Sequence, residues 1–280
     1  MEKIILSTNL TKPILVVKLG GTEGVDFSAI CQDAVKLVNQ NQRLILVHGG
    51  SAEANALGDA VGYPARFVTS PSGFTSRYTD RKTLEIFGMA VNGKINTLLV
   101  EQLQMLGVNA FGLSGLDGRV MLAKRKAAIR IIENGKRKML RDDYTGKIQQ
   151  VNKNLLIKLL DAGTIPVIAP LAVSEDGEAL NVDADRAAAK IAAALNAETL
   201  ILLTAVPGLM RTFPDESSLI SRLSSAELSP ALDFAQGRMK KKVLGAGEAL
   251  QGGVGQVIIA DGRVGNPIRN ALDGNGTTIT

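Results

Sequence analysis

The chain has 280 residues, 45% of them hydrophobic, with 32 Lys and Arg against 27 Asp and Glu, a formal net charge of +5. That length and apolar fraction allow a large core, built as one α/β domain or two lobes. One cysteine and one histidine exclude a disulfide framework and a His/Cys zinc site, and no apolar run nears the roughly 20 residues of a membrane helix.

The first six residues, Met-Glu-Lys-Ile-Ile-Leu, lack the apolar core and cleavage site of a secretory signal, so a cytoplasmic protein without a membrane segment is expected. Residues 14–17 are aliphatic and β-branched, as in a strand buried on both faces, and run into Lys18-Leu19-Gly20-Gly21. A lysine is costly to bury unless it meets an anion, and two glycines let backbone N–H groups approach that anion. A phosphate site is one reading; a lysine snorkelling from a strand end into a glycine turn is the other. Residues 26–39 carry Phe27, Ile30, Ala34, Leu37 and Val38 at helical spacing, with Cys31 on the apolar side as core. Residues 43–47 form a second buried strand, ending in His48-Gly49-Gly50-Ser51. This is a βαβ unit whose glycine loops share the carboxyl edge of a parallel sheet, where ligands bind. It is neither a Walker A loop nor a dinucleotide fingerprint, since Gly245-Ala246-Gly247 has Leu250 where a third small residue belongs. His48 reads as a packing residue of its loop. Lysines, carboxylates and backbone amides are left to carry any chemistry.

A helix is expected over residues 52–62, then a Gly/Pro/Ser-rich loop over 69–80 in which Thr79 or Asp80 caps the next helix. Residues 108–118 read as a strand entering a glycine turn, and 165–170 as another buried strand. Between them, residues 124–147 hold nine basic residues against three acidic ones, so the basic character of the protein is local. Glu133-Asn134-Gly135 marks a hairpin in that segment. It is either a charged edge that blocks aggregation or a docking surface for an acidic partner. Nucleic acid is disfavoured, because only Tyr144 offers a ring for base stacking. Beyond residue 175, Asp183 can cap an alanine-rich helix reaching Leu195. A buried strand over 199–203 leads to Val206-Pro207-Gly208, a helix runs from Gln236 to Gln251, and the last buried strand spans 257–260. Strands alternating with helices predict α/β.

Lys18-Leu19-Gly20-Gly21, His48-Gly49-Gly50, Asn181 four residues before Asp185, Val206-Pro207-Gly208, and Met239 three before Lys242 together resemble the amino acid kinase family. Within it the resemblance is to the N-acetylglutamate kinase branch, over nearly the whole chain from about Ile14. It implies a three-layer αβα sandwich with a mainly parallel sheet in two lobes, 1–175 for the acyl substrate and 176–280 for ATP. It implies transfer of the γ-phosphoryl of ATP to a carboxylate, giving an acyl phosphate. Lys18 and Lys242 would flank the transferring group, Asp185 would hold both, and Gly20 and Gly21 would meet the phosphates. Gly49, Gly50, Ser51, Arg77 and Asn181 would bind the acyl substrate, with Arg77 on its α-carboxylate. Thr204, Val206, Gly208 and Met239 would bind ATP, whose Mg²⁺ would sit on the phosphates without metal ligands from the protein. Two departures stand out: Ala205 where a polar residue is usual, and Arg238 where glycine is usual.

The segment Ser70-Pro71-Ser72-Gly73-Phe74-Thr75-Ser76-Arg77-Tyr78-Thr79 resembles that of kinases of lysine biosynthesis, whose 2-aminoadipate is joined through its amino group to a small acidic carrier protein. The basic hairpin would then dock the carrier through Lys124, Arg125, Lys126, Lys136, Arg137 and Lys138. N-acetylglutamate 5-kinase, or a carrier-linked glutamate kinase of arginine biosynthesis, is the alternative. A non-catalytic binding module on the same fold is disfavoured by Lys18, Asp185 and Lys242 occurring together. A homodimer is expected from the branch.

Overall fold

In the computed structural model of the protein, which describes residues 12–20, 26–71, 73, 75–126, 128–133 and 135–280, all six residues of β1 (Ile14–Leu19) are buried. α1 (Phe27–Val38) is capped by Asp26, whose carboxylate accepts from the amides of Ser28 and Ala29. β2 (Arg43–His48) then returns parallel to β1, with Lys18 opposite Val47. Next come α2 (Ser51–Ala60), the short strands β3 (Phe67–Thr69) and β4 (Thr75–Arg77), and α3 (Arg81–Gly88). A wide π-helical stretch, Met89–Asn96, joins α3 to α4 (Thr97–Met105). There follow β5 (Ala110–Ser114), β6 (Met121–Arg125), β7 (Ala128–Glu133), β8 (Lys136–Arg141), β9 (Gly146–Val151), α5 (Lys153–Asp161), β10 (Ile165–Ala169) and β11 (Leu171–Val173). The remainder is β12 (Ala179–Asn181), α6 (Ala184–Ala194), β13 (Thr199–Thr204), β14 (Arg222–Leu223), α7 (Leu228–Ala231), α8 (Gly237–Gln251), β15 (Gln256–Asp261), α9 (Pro267–Leu272) and β16 (Thr277–Ile279).

The central sheet runs β14-β16-β15-β13-β1-β2-β10-β5, parallel except between β15 and β16. Alternate residues of β1 serve opposite faces. Leu15, Val17 and Leu19 pack with Ile30, Leu99 and Ile268 of α1, α4 and α9. Val16 packs with Leu156, Ala188 and Val243 of α5, α6 and α8. The expected three-layer αβα arrangement follows, and parity alone sends Lys18 toward α6 and α8. The buried alanines of α6, among them Ala187, Ala188 and Ala192, let that helix lie close to the sheet. The sheet is continuous across both halves of the chain, because β1 lies directly against β13. Residues 175 and 176 fall in the turn between the antiparallel strands β11 and β12.

Two four-stranded sheets, β12-β11-β6-β9 and β4-β3-β7-β8, complete the structure. The second corrects the expectation of a loop over 69–80. β3 and β4 pair antiparallel from Phe67 opposite Arg77 to Thr69 opposite Thr75, and β3 adds to β7 where Thr69 meets Ile132. Three-residue strands leave little period-2 signal, and here their pairing partner lies some sixty residues away in sequence. Asp80, not Thr79, caps α3 by accepting from the amide of Thr83. The basic segment is split between the two sheets: β6 and β9 pair in one, while β7 and β8 form the hairpin of the other. Glu133 faces Lys136, as the two-residue Asn-Gly turn requires, with Gly135 at φ 71°.

Candidate active site

Lys18 is the fifth residue of β1, and its ammonium lies 2.8 Å from Oδ1 of Asp185. Lys242, in the second turn of α8, lies 3.0 and 2.9 Å from Oδ1 and Oδ2 of the same carboxylate. Asp185 sits in the first turn of α6, which begins where Asp183 accepts from the amide of Arg186. One carboxylate therefore bridges two lysines contributed by the central sheet and by a helix of the other half of the chain. All three side chains are largely buried, at 8%, 13% and 8% exposure. Burial alone would raise the Asp185 pKa, but the charges of Lys18 and Lys242 outweigh it and hold the carboxyl well below the usual range. Burial, with the neighbouring charge of Lys18, pulls the Lys242 pKa down. Two cations against one anion leave a net positive charge in a place poor in water, and that favours an anion.

These groups line a cleft of about 1390 Å³ that also receives Gly20, Gly49, Gly50, Ser51, Arg77 and Asn181. Thr204, Val206, Gly208 and Met239 line it too, with the N-terminal turn of α8. Gly21 lies outside the described residues. The N–H of Gly49 is already engaged, donating to the carbonyl of Leu19 at 3.1 Å and extending the parallel β1–β2 pairing by one step. Gly50 is required for space: a Cβ there would stand 2.5 Å from Cγ1 of Val91 in the π-helical stretch. Gly208 is likewise confined, by Oγ1 of Thr277 at 2.6 Å.

Arg77 ends β4 and is 8% exposed, with no ion pair among the described residues. Its Nη2 donates to Asn55 Oδ1 at 2.6 Å and to Ser51 O and Oγ at 3.1 Å. Burial lowers its pKa, a cost that an anion in the cleft would offset. Ser51 thus holds the arginine, as does Asn55, one helical turn further on and absent from the sequence reading. Asn181 donates from Nδ2 to Oγ1 of Thr79 at 3.0 Å, and the buried Asp143 accepts from the amide of Thr79. That network ties Arg77 and Asn181 to one strand exit.

His48 corrects another expectation. It is the last residue of β2, fully buried, not a loop residue. Nδ1 donates to Gly49 O at 2.8 Å, and Nε2 accepts from Asn96 Nδ2 at 3.1 Å. Asn96 also donates to Val167 O, so a second proton on the ring would meet a donor. Burial, with the charge of Lys18, pulls its pKa down to about 4.

Of the basic residues, Lys124, Lys136, Arg137 and Lys138 are exposed, and Lys126 and Arg130 reach the cleft wall. A second hollow of about 260 Å³ lies against Arg130, Arg137, Lys138 and Met139. Lys138 pairs with Glu133 at 2.5 Å. Arg125 differs from the expectation of a docking residue. Its guanidinium donates to both carboxylate oxygens of Glu178 and to Asp143 O, and stacks on Tyr144 at 3.7 Å from the ring centre. Among the described residues, no cluster of three or more His, Cys, Asp or Glu side chains could hold a metal ion.

Comparison with known proteins agrees with this geometry. A protein of Deinococcus radiodurans named "[LysW]-aminoadipate kinase" is 55% identical over 267 residues, 95% of this chain and 91% of that protein. One of the same name from Thermus thermophilus is 51% identical over 95% of this chain and 100% of its own length. The structure of N-acetylglutamate synthase from Neisseria gonorrhoeae with coenzyme A and N-acetyl-glutamate superposes with a TM-score of 0.78 at 27% identity. The match covers 96% of this chain and 59% of that longer one. The model of the amino acid kinase family matches residues 13–261, from the start of β1 to the end of β15, so the five motifs, the continuous sheet and the bridged lysines have one explanation: the chain belongs to the amino acid kinase family.

Proposed function

We propose that the protein is an ATP-dependent kinase that phosphorylates the side-chain carboxylate of 2-aminoadipate while the amino acid is carried, through its amino group, on a small acidic carrier protein. The single observation that carries the chemistry is the Lys18–Asp185–Lys242 bridge, set in a cleft that continues past Arg77 to basic strands. The relatives named "[LysW]-aminoadipate kinase", at 55% and 51% identity, support the substrate.

The reaction makes a bond from a carboxylate oxygen to the γ-phosphorus and breaks the bond to the leaving ADP oxygen. An ionised carboxylate needs no base, so the work is alignment and charge neutralisation. Lys18 and Lys242 flank the transferring phosphoryl group, and Asp185, held ionised by both, fixes their positions and takes no proton. The N-terminal turn of α8 and Gly20 direct backbone dipoles at the phosphates. Thr204, Val206, Gly208 and Met239 border the nucleotide, and MgATP binds with its Mg²⁺ on the phosphates. Arg77 forks onto the α-carboxylate of the aminoadipate, with Gly50 and Asn181 beside it.

The carrier docks on Lys124, Lys126, Lys136, Arg137 and Lys138; Arg125 is left out because its guanidinium is half-buried, forked on Glu178 and stacked on Tyr144. The enzyme works in the cytoplasm as a homodimer. Exposed apolar side chains support the pairing: Phe111 on the edge strand β5, and Leu98 and Met105 on α4. Hydroxylamine trapping of the acyl phosphate tests the reading. Carrier-linked aminoadipate should give hydroxamate at a far higher kcat/KM than free N-acetylglutamate or carrier-linked glutamate. Preferred turnover of either competitor would overturn it.

A further inference from the structure

α8 presents two successive lysines to opposite walls of the cleft. Lys242 grips Asp185, while the ammonium of Lys241 lies 2.9 Å from the carbonyl oxygen of Thr75, at the start of β4. That contact joins the helix whose first turn borders the nucleotide side to the hairpin that ends in Arg77. β4 is the outer strand of its sheet, and outer strands present carbonyls that no ladder satisfies. The hairpin is only three residue pairs long, too short to hold its own tip firmly. Its base is anchored through Arg77 on Ser51 and Asn55, and through Tyr78, whose hydroxyl donates to Arg141 O. At its tip, Thr69 and Thr75 face each other with hydroxyls 3.2 Å apart, and among the described residues the link to β7 is the pairing of Thr69 with Ile132.

We infer that Lys241 is a positioning residue: a latch that fastens the tip of the substrate hairpin to the nucleotide-side helix, so that each substrate, by ordering its own wall, prepares the other. This inference rests on the reading of the cleft as a kinase site with nucleotide and acyl ends. Ordering a short hairpin costs conformational entropy, and the ligand that orders the latch first spares its partner that cost. By linkage the benefit is the same in both directions. Lys241 touches no reacting atom in this arrangement. A nucleotide ligand at this position would instead contribute to binding of the nucleotide alone.

The test compares wild type with Lys241→Met, Lys241→Arg, which keeps a donor, and Lys240→Ala, an exposed neighbour. Affinity for a non-hydrolysable ATP analogue with Mg²⁺ is measured with and without carrier-linked aminoadipate, and amide hydrogen exchange is followed across residues 67–77 in the free enzyme. In K241M the affinity without acyl substrate should stay within about twofold of wild type, while the tightening caused by acyl substrate falls by about tenfold, the scale of one lost charged hydrogen bond. Exchange across 67–77 should rise in K241M, and K241R should recover much of both effects. An equal loss of affinity with and without acyl substrate would make Lys241 a nucleotide ligand and overturn the latch, as would unchanged exchange in K241M. Were the conjugate no ligand of wild type, the substrate reading would fall, while the exchange result would still decide the latch.

Discussion

Two clusters of positive charge occupy this protein, and their surroundings differ sharply. Lys18 and Lys242 are buried, share one carboxylate and belong to the rigid central layers. Lys136, Arg137 and Lys138 stand exposed on a hairpin of a small outer sheet. A buried cation held in place acts on charge that develops next to it, with little reorganisation. An exposed cation is screened over about 8–10 Å by physiological salt and acts chiefly on encounter. Under the proposed function the same residue types serve reaction in one place and recruitment in the other, and variants should separate the two.

The largest effects belong to the buried cluster. Lys18→Ala and Lys242→Ala should each lower kcat by roughly 10²–10³-fold with a much smaller loss of nucleotide affinity, read by steady-state kinetics beside equilibrium binding. Asp185→Asn would leave two buried ammonium groups without their counter-ion. It should destabilise the fold by about 3–5 kcal/mol in denaturant unfolding, besides losing activity.

The buried region also has a pH signature. The His48 pKa is about 4 in the fold against 6.5 for a free imidazole. Between those values the unfolded chain binds a proton that the folded one refuses, so stability rises with pH from 4 to 6.5. The difference is about 3 kcal/mol, lost again on acidification to pH 4. Asp185 has a depressed pKa, so its contribution is present above the ordinary carboxylate range and fades only below it, outside this window. The pH dependence of denaturant unfolding from 4 to 6.5 should flatten in His48→Gln.

Arg77→Lys keeps charge but not the fork, and should raise KM for the acyl substrate by about tenfold or more with kcat less affected. An unchanged KM would move the carboxylate contact elsewhere.

How far this division was legible in the sequence depends on the range of the interactions. The Lys18–Asp185–Lys242 bridge was foreshadowed by the ordered motifs shared with the amino acid kinase family, because either lysine alone also admits a structural reading. The caps at Asp80 and Asp183 and the β7–β8 turn are local signals, and they read correctly or nearly so, while the cap at Asp26 was not read. The β3–β4 hairpin was invisible because its strands are three residues long, sit among Gly, Pro and Ser, and depend on β7 for a neighbour. Arg125 was indistinguishable from the lysines beside it until Glu178 and Tyr144 came within reach through folding. Lys241 and Lys242 are adjacent in a run of three lysines, and only the helix phase separates the two walls they reach.

The most direct test of the division is kcat/KM against ionic strength, for wild type and for the triple variant Lys136→Glu, Arg137→Glu, Lys138→Glu, on carrier-linked aminoadipate and on a small N-acylated amino acid. In wild type, kcat/KM for the carrier conjugate should fall with added salt while kcat stays level. The triple reversal should raise KM for the conjugate several-fold and flatten that salt dependence, without changing turnover of the small substrate. Equal salt dependence for the two substrates, or normal use of the conjugate by the triple variant, would contradict the account and leave the hairpin as a guarded sheet edge.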